Sequence, residues 1–411
     1  MMNFPIDYIL RFIGIFAKFG VIVLLERSLS TDEFARYILF ISIIALASNI
    51  FRYGSDNLLY RISTGRSLFQ LSKACSDVAI LYKKSILIKL ILIIVVTPLF
   101  SLSEIFTIFL CVESVSLLHY YCLVIRGRGH IRESILLFDV IPPVLLIIMI
   151  LVISPSYGPE VVLFQHLILL FLVIVCFAKD IRVLRLFLIR HARYGTNSFK
   201  RYFKKISPFG LANFSNSFTS WGDVLLITLI FEPDISAAYF MVTRIFTAVE
   251  RISVIPLYPA LNTLGNEFQI RGKVFLSIYR SIRPALIRYF LIIVLGSVGV
   301  LVVLAVLPMV FFEALDNLPL VVQVLLIVAL VIPSAGAVVD SIGSQTGYET
   351  SVLRTALAIM VSRIVSIGIV YFSIGMDFFL YIIASMLPIL IGKLLLINKI
   401  LVRAYKIEIS R

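Results

Sequence analysis

The stretch SPFGLANFSNSFTSWGDVLLITLIFEPDISAAYFMVTRIFTAVERISVIPLYP, residues 207–259, reads as two membrane-spanning helices joined by a short turn. It sets amides, hydroxyls, Asp223, Arg244, Glu250 and Arg251 at depths where hydrocarbon should tolerate none of them. A charge at mid-bilayer costs at least about 2.5–3.5 kcal/mol on insertion scales, so such a group faces a protein interior or a water-filled cavity and marks a pathway. The chain around this stretch is therefore expected to carry something polar across a membrane.

Composition agrees. The 411 residues are 60% hydrophobic and 15% charged, with a mean hydropathy of +1.05, whereas a soluble domain is roughly a quarter charged. An all-α polytopic membrane protein follows. The formal charge of +14 would suggest nucleic acid in a soluble protein, but here Lys and Arg sit between apolar runs and serve as topology signals. Cys75, Cys111, Cys122 and Cys176 show no metal-ligand spacing and read as small hydrophobes. The first apolar run has no small-residue cleavage site, so no cleavable signal peptide is expected. The chain holds no phosphate-binding loop, HExxH motif or nucleophile elbow. No enzyme and no cofactor are expected, and energy must come from an ion gradient, the substrate gradient or downstream consumption.

Apolar runs close to the ~20 residues that cross ~30 Å of hydrocarbon fall at 8–25, 37–50, 85–102, 103–125, 134–153 and 161–178. The second half gives 207–231, 235–256, 285–307, 318–339, 352–374 and 378–397. Twelve spans are expected. Lys and Arg crowd the connections after the second, fourth, sixth and eighth spans, while 154–160, 232–234, 313–317 and 375–377 hold almost none. Only 26–36 is mixed. The basic loops are assigned to the cytoplasm, and with them both termini.

The longest basic connection divides six spans from six. Setting Tyr37 on Tyr239 aligns LSTDEFARY with FEPDISAAY, matching Asp32 to Asp234 and Ala35 to Ala237, in each half at the turn between first and second spans. The expectation is a six-helix lobe over 1–178, a cytoplasmic linker over 179–205 and a second lobe over 206–411. Six is an even number, so the repeats are parallel, with a central cleft between the lobes and substrate near the midplane.

Helical spacing selects residues for that cleft. Arg11 and Lys18 are seven apart and share a face, as do Arg244 and Arg251. Asn213, Ser217 and Ser220 follow i, i+4, i+7, with Asn216 and Asp223 beside them. The repeat offset lays Arg11 on Asn213 and Lys18 on Ser220. Lys18, Arg244 and Arg363 are near mid-span, whereas Lys89, Arg288 and Lys393 lie close enough to span ends to snorkel; Arg11 fits either description. A cleft of this character suits a pyrophosphate, which Arg and Lys meet with charge-assisted hydrogen bonds. The competing reading of Arg244 is an intramembrane pair with Asp223 or Glu250. Asp223, Glu250 and Glu113 are the candidates for ion coupling, Glu113 with His119 forming either a proton path or a helix contact. Asp139 is expected to find a structural partner in a basic loop.

A family resemblance rests on Pro208, Gly210, Asn213, Ser217, Asp223, Ala238–Tyr239, Arg244, Ile245, Pro256 and Pro259, and in the first half on Phe34, Tyr37 and Gly54. At these positions the chain resembles polysaccharide flippases of the Wzx type, in the superfamily that also holds multidrug and toxin extruders (MATE) and lipid II flippases. The resemblance implies a MATE-like fold in the bacterial inner membrane. It implies as cargo an undecaprenyl-pyrophosphate-linked oligosaccharide, an O-antigen or related repeat unit of surface polysaccharide. That cargo would move from the cytoplasmic to the periplasmic leaflet by alternating access, with a polymerase and a chain-length regulator as partners. A drug exporter of the same fold is one alternative, and it should carry acidic charge for its cationic cargo. A membrane-embedded glycan polymerase or ligase is another, but it should show a large outer loop, and every outer connection here is about ten residues or fewer.

Overall fold

The computed structural model describes residues 4–52, 100–127, 130–153, 158–179, 214–215, 217–254, 283–284, 287–289, 291, 294–296, 349–373 and 377–409. Among these, every residue outside a few short turns is helical and none is in a strand. Backbone polar groups in a bilayer must be satisfied within the segment, and a helix does this for almost every residue.

Nine long helices are described: α1 (Phe4–Ser28), α2 (Thr31–Arg52), α3 (Leu102–Gly127), α4 (Ile131–Ile153), α5 (Gly158–Lys179), α6, α7 (Pro233–Val254), α8 (Glu349–Ser373) and α9 (Phe378–Ile409). Helix α6 is a π turn, Phe218–Gly222, continuing into Asp223–Ile230. The stretches Thr31–Ile50, Leu102–Arg126, Ile131–Ile153, Thr350–Phe372 and Phe378–Lys399 are long and apolar enough to cross a membrane. The protein is a multi-pass membrane protein. Helix ends differ from the expected spans by a few residues, except that α9 runs on twelve residues past the expected end at 397. The span expected at 85–102 lies outside the described residues except at its end, where Phe100 and Ser101 form a bend before α3. Most of 285–307, all of 318–339 and nearly all of the linker at 179–205 also lie outside them.

The chain separates into two compact units, Met1–Pro233 and Asp234–Arg411. In the first, α1 packs on α4, while α2 packs on α3, α5 and α6, and α3 and α4 both pack on α5. Side-chain contacts give the directions. Asp7 and Lys18 of α1 meet Arg132 and Asp139 of α4 in the same order, so these helices run parallel. Cys111 and Ser114 of α3 meet Val162 and His166 of α5 in the same order, at 3.5 and 3.2 Å. Helices expected to point the same way through the bilayer therefore lie side by side in parallel.

In the second unit α8 packs on α9. Gly392 lies where an added Cβ would collide with the Ile359 side chain, and Arg363 meets Ser385, so the pair is antiparallel. The start of α7 is buried at Ser236 through Thr243, with the Tyr239 ring edge-on to Phe378.

Candidate functional site

Helix α1 carries a polar stripe along its first four turns. Asp7, Arg11, Gly14 and Lys18 follow i, i+4, i+7, i+11, a single helical stripe. Asp7 Oδ1 accepts from Arg132 Nε at 3.2 Å, and Lys18 Nζ donates to Asp139 Oδ1 at 2.6 Å. Between them, Gly14 permits a close approach: a Cβ there would stand 2.7 Å from the Asp139 carbonyl oxygen. Asp139 sits on a π turn, Leu136–Val140, where Ile141 N–H reaches the Leu136 carbonyl. Pro142 and Pro143 follow at once, and neither can donate to the carbonyl four residues earlier, those of Phe138 and Asp139. The ladder re-registers just before them, and such single π turns recur at functional sites. The Lys18 ammonium also stands 5.9 Å from the Phe138 ring centroid, and His119 of α3 meets that ring edge-on at 5.0 Å. Asp139 thus finds its partner inside α1, a correction to the basic-loop partner expected for it, because the wide turn carries the carboxylate against the α1 stripe.

A second polar cluster joins the first turns of α2, α3 and α5. Glu33 Oε2 accepts from the Gly158 amide, the first of α5, at 2.7 Å, and a Cβ on Gly158 would come within 2.5 Å of the Glu33 carbonyl oxygen. Arg36 pairs with Glu104, whose other oxygen accepts from Ser101 N and Oγ, each at 2.8 Å. Carboxylates at helix N-termini meet free N–H groups and the positive end of the dipole. This cluster accounts for the mixed charge of the 26–36 connection. The sequence did carry a signal for it, since Ser30-x-x-Glu33 and Ser101-x-x-Glu104 are both capping boxes and both serines receive the expected amide, at 3.4 Å.

The remaining cleft candidates fall as follows. Arg11 is half-buried on α1 and Ser217 is half-buried just before the π turn of α6. Asp223 is buried on α6, in the first unit. Arg244, half-buried on α7, holds its guanidinium carbon 4.7 Å from the Phe240 ring centroid one turn earlier. Arg363 is buried between α8 and α9 at 1% exposure and donates to Ser385 Oγ at 2.5 Å. Glu113 and His119 are half-buried on α3, six residues and so about 120° apart around the helix. Asn213 lies outside the described residues, as do the side chains of Asn216, Ser220, Glu250 and Arg251. The structure brings Lys18 together with Asp139 and Phe138, and Arg363 together with Ser385. Among described residues no group of three His, Cys, Asp or Glu could hold a metal ion.

No family model matches the sequence, and no curated protein does. Solved structures do. A lipid II flippase, MurJ, in an inward closed conformation matches with a TM-score of 0.69 at 14% identity, over 97% of this chain and 87% of that one. An inward-facing multidrug resistance MATE transporter matches with a TM-score of 0.60 at 14% identity, covering 97% of this chain and 99% of the transporter. The outward-facing conformation of such a transporter matches at 0.58 and 13%, over 99% and 95%. An all-helical membrane protein that matches these structures over nearly its whole length has the MATE-like fold, which lipid II flippase and multidrug transporters share.

Proposed function

We propose that the protein is a flippase for a lipid-linked oligosaccharide with a pyrophosphate head, the repeat unit of an O-antigen or related surface polysaccharide. The observation that carries this reading is the presence of half-exposed cations on helices expected to span the membrane, Lys18 on α1 and Arg244 on α7, on a fold that a lipid II flippase also has. Basic groups in a membrane interior suit an anionic head group, while a polyprenyl tail needs no protein and stays in lipid. Arg11, Arg251, Asn213, Ser217 and Ser220 complete the proposed contacts, with Asp223, Glu250 and Glu113 as groups for ion coupling. Two lobes, 1–178 and 206–411 with a basic linker, would alternate access. The chain performs no covalent chemistry in this reading. It sits in the inner membrane with both termini cytoplasmic, next to a polymerase and a chain-length regulator.

The test is reconstitution. Proteoliposomes holding the protein should expose a fluorescent polyprenyl-pyrophosphate oligosaccharide to an outside sugar-modifying enzyme, and Arg244→Gln should slow that by roughly one to two orders of magnitude, the worth of one charge-assisted hydrogen bond. Equal rates in protein-free liposomes would sink the proposal. A drug-exporter reading requires that a cationic dye be carried instead, which the basic character of these helices disfavours.

A further inference from the structure

We propose that the Lys18–Asp139 pair is a switchable contact, in which a lipid-borne phosphate competes with the Asp139 carboxylate for the Lys18 ammonium. The proposal rests on the anionic-cargo reading above and names one contact through which such a cargo is sensed. Three features of the pair support it. The contact is short, 2.6 Å, yet its side chains keep 35% and 25% of their exposure, so the pair is not sealed inside the packing of α1 on α4. Asp139 rides on a π turn rather than a regular helical turn, and the neighbouring prolines leave its backbone open to rearrangement. Phe138 offers the ammonium a second partner, its ring centroid 5.9 Å from Nζ, so Lys18 keeps a cation–π contact while it changes anions.

The exchange has a mechanical consequence. Gly14 lies one helical turn below Lys18, and an added Cβ there would come within 2.7 Å of the Asp139 carbonyl oxygen, so α1 rests directly on the π turn. Releasing Asp139 from Lys18 removes the polar tie directly above this contact, and the Asp7–Arg132 pair remains as the hinge end. Phosphate binding would thereby loosen α1 from α4 at one end only.

The experiment uses the full chain in nanodiscs of neutral lipid, with inorganic pyrophosphate as the probe and calorimetry as the readout. Asp139→Asn removes the competitor and should tighten pyrophosphate binding roughly tenfold, while Lys18→Gln should weaken it by about as much, and the double variant should bind as weakly as Lys18→Gln. Unchanged affinity in Asp139→Asn, or binding indifferent to Lys18, overturns the inference. If Asp139→Asn does not accumulate, wild-type protein carrying ¹⁵N-lysine decides. Pyrophosphate should shift the Lys18 ammonium signal, assigned by its loss in Lys18→Arg, and an unshifted signal overturns the inference. Recovery of surface polysaccharide in the Lys18→Gln/Asp139→Asn double variant would make the pair a fixed counter-ion and also overturns it. The calorimetric and ammonium-signal outcomes concern pyrophosphate and Lys18 alone. A flippase that ignores pyrophosphate at Lys18 sinks only this inference, whereas lipid-linked units that cross without the protein sink only the flippase reading.

Discussion

Two stretches of this molecule share their helix ends and differ in chemistry. Helix α1 ends at Ser28 and α2 runs from Thr31 to Arg52; α6 ends at Ile230 and α7 runs from Pro233 to Val254. All of these ends are related by the offset of 202 residues that sets Tyr37 on Tyr239. Even the bond that closes the first helix repeats, Leu29 N to Leu25 O and Phe231 N to Ile227 O, both at 2.9 Å. The polar groups do not follow. Lys18 corresponds to Ser220 and buried Val21 to buried Asp223, while neutral Ser42, Ser48 and Asn49 of α2 correspond to Arg244, Glu250 and Arg251 of α7. In the first turn of the second helix, Glu33 and Arg36 of the polar cluster become Ile235 and Ala238. The same helix ends are thus accompanied by ion pairs and caps in one half and by apolar burial in the other. The intramembrane charges are additions to that backbone rather than requirements of it.

The strongest way to break this comparison is to exchange residues across it. Val21→Asp puts a carboxylate at a site only 5% exposed and should cost at least about 2.5–3.5 kcal/mol, enough to reduce the amount of inserted protein severely. Asp223→Val, the reverse exchange, should insert normally and lose transport. Both are read by membrane fractionation alongside surface polysaccharide. Normal insertion of Val21→Asp would show that the two positions are more alike than their burial implies.

Arg36→Ala sharpens the contrast at the turns. It removes the guanidinium partner of the buried Glu104 carboxylate and should lower stability by roughly 1–3 kcal/mol, visible as a drop in the thermal unfolding midpoint in detergent. Ala238→Ser, at the corresponding site, changes no ion pair and should move the midpoint less, because a hydroxyl there can bond back to its own helix. The smallest effects belong to the caps. Ser30→Ala should cost about 0.5–1 kcal/mol, since it leaves an orphan amide at the start of α2. Pro233→Ala should cost only a few tenths, because proline at the first helical position mainly limits the unfolded chain. A larger loss for Pro233→Ala than for Ser30→Ala would reverse the assignment of polar and apolar turns.

The sequence was most legible where information is local. Three identities in nine residues located a turn whose two copies have matching helix ends, since turn chemistry and helix starts are written in adjacent residues. Span ends were read to within a few residues for most helices for the same reason, and α9 was missed at its end because Lys399, Arg403 and Lys406 lower hydropathy without opposing helix. The pairs Lys18–Asp139, Arg36–Glu104 and Asp7–Arg132 join residues 121, 68 and 125 apart, and which helices adjoin is a tertiary fact that hydropathy does not encode. The stripe Arg11–Lys18 was correctly grouped on one face, but spacing alone could not say that the face meets α4. Arg363 was singled out by depth, yet its burial against Ser385 depends on the close approach that Gly392 allows. The capping boxes at Ser30 and Ser101 are local signals too, but they mark where a helix starts and not which helices their carboxylates tie together.

The central claim is that this chain moves a lipid-linked oligosaccharide between leaflets, and it is tested most directly in cells lacking the chain. Lipid-linked repeat units should accumulate intact and stay inaccessible to a glycan-modifying enzyme added to spheroplasts, becoming accessible when the wild-type chain is restored. Repeat units that are fully accessible on the outer face without the chain would contradict the account.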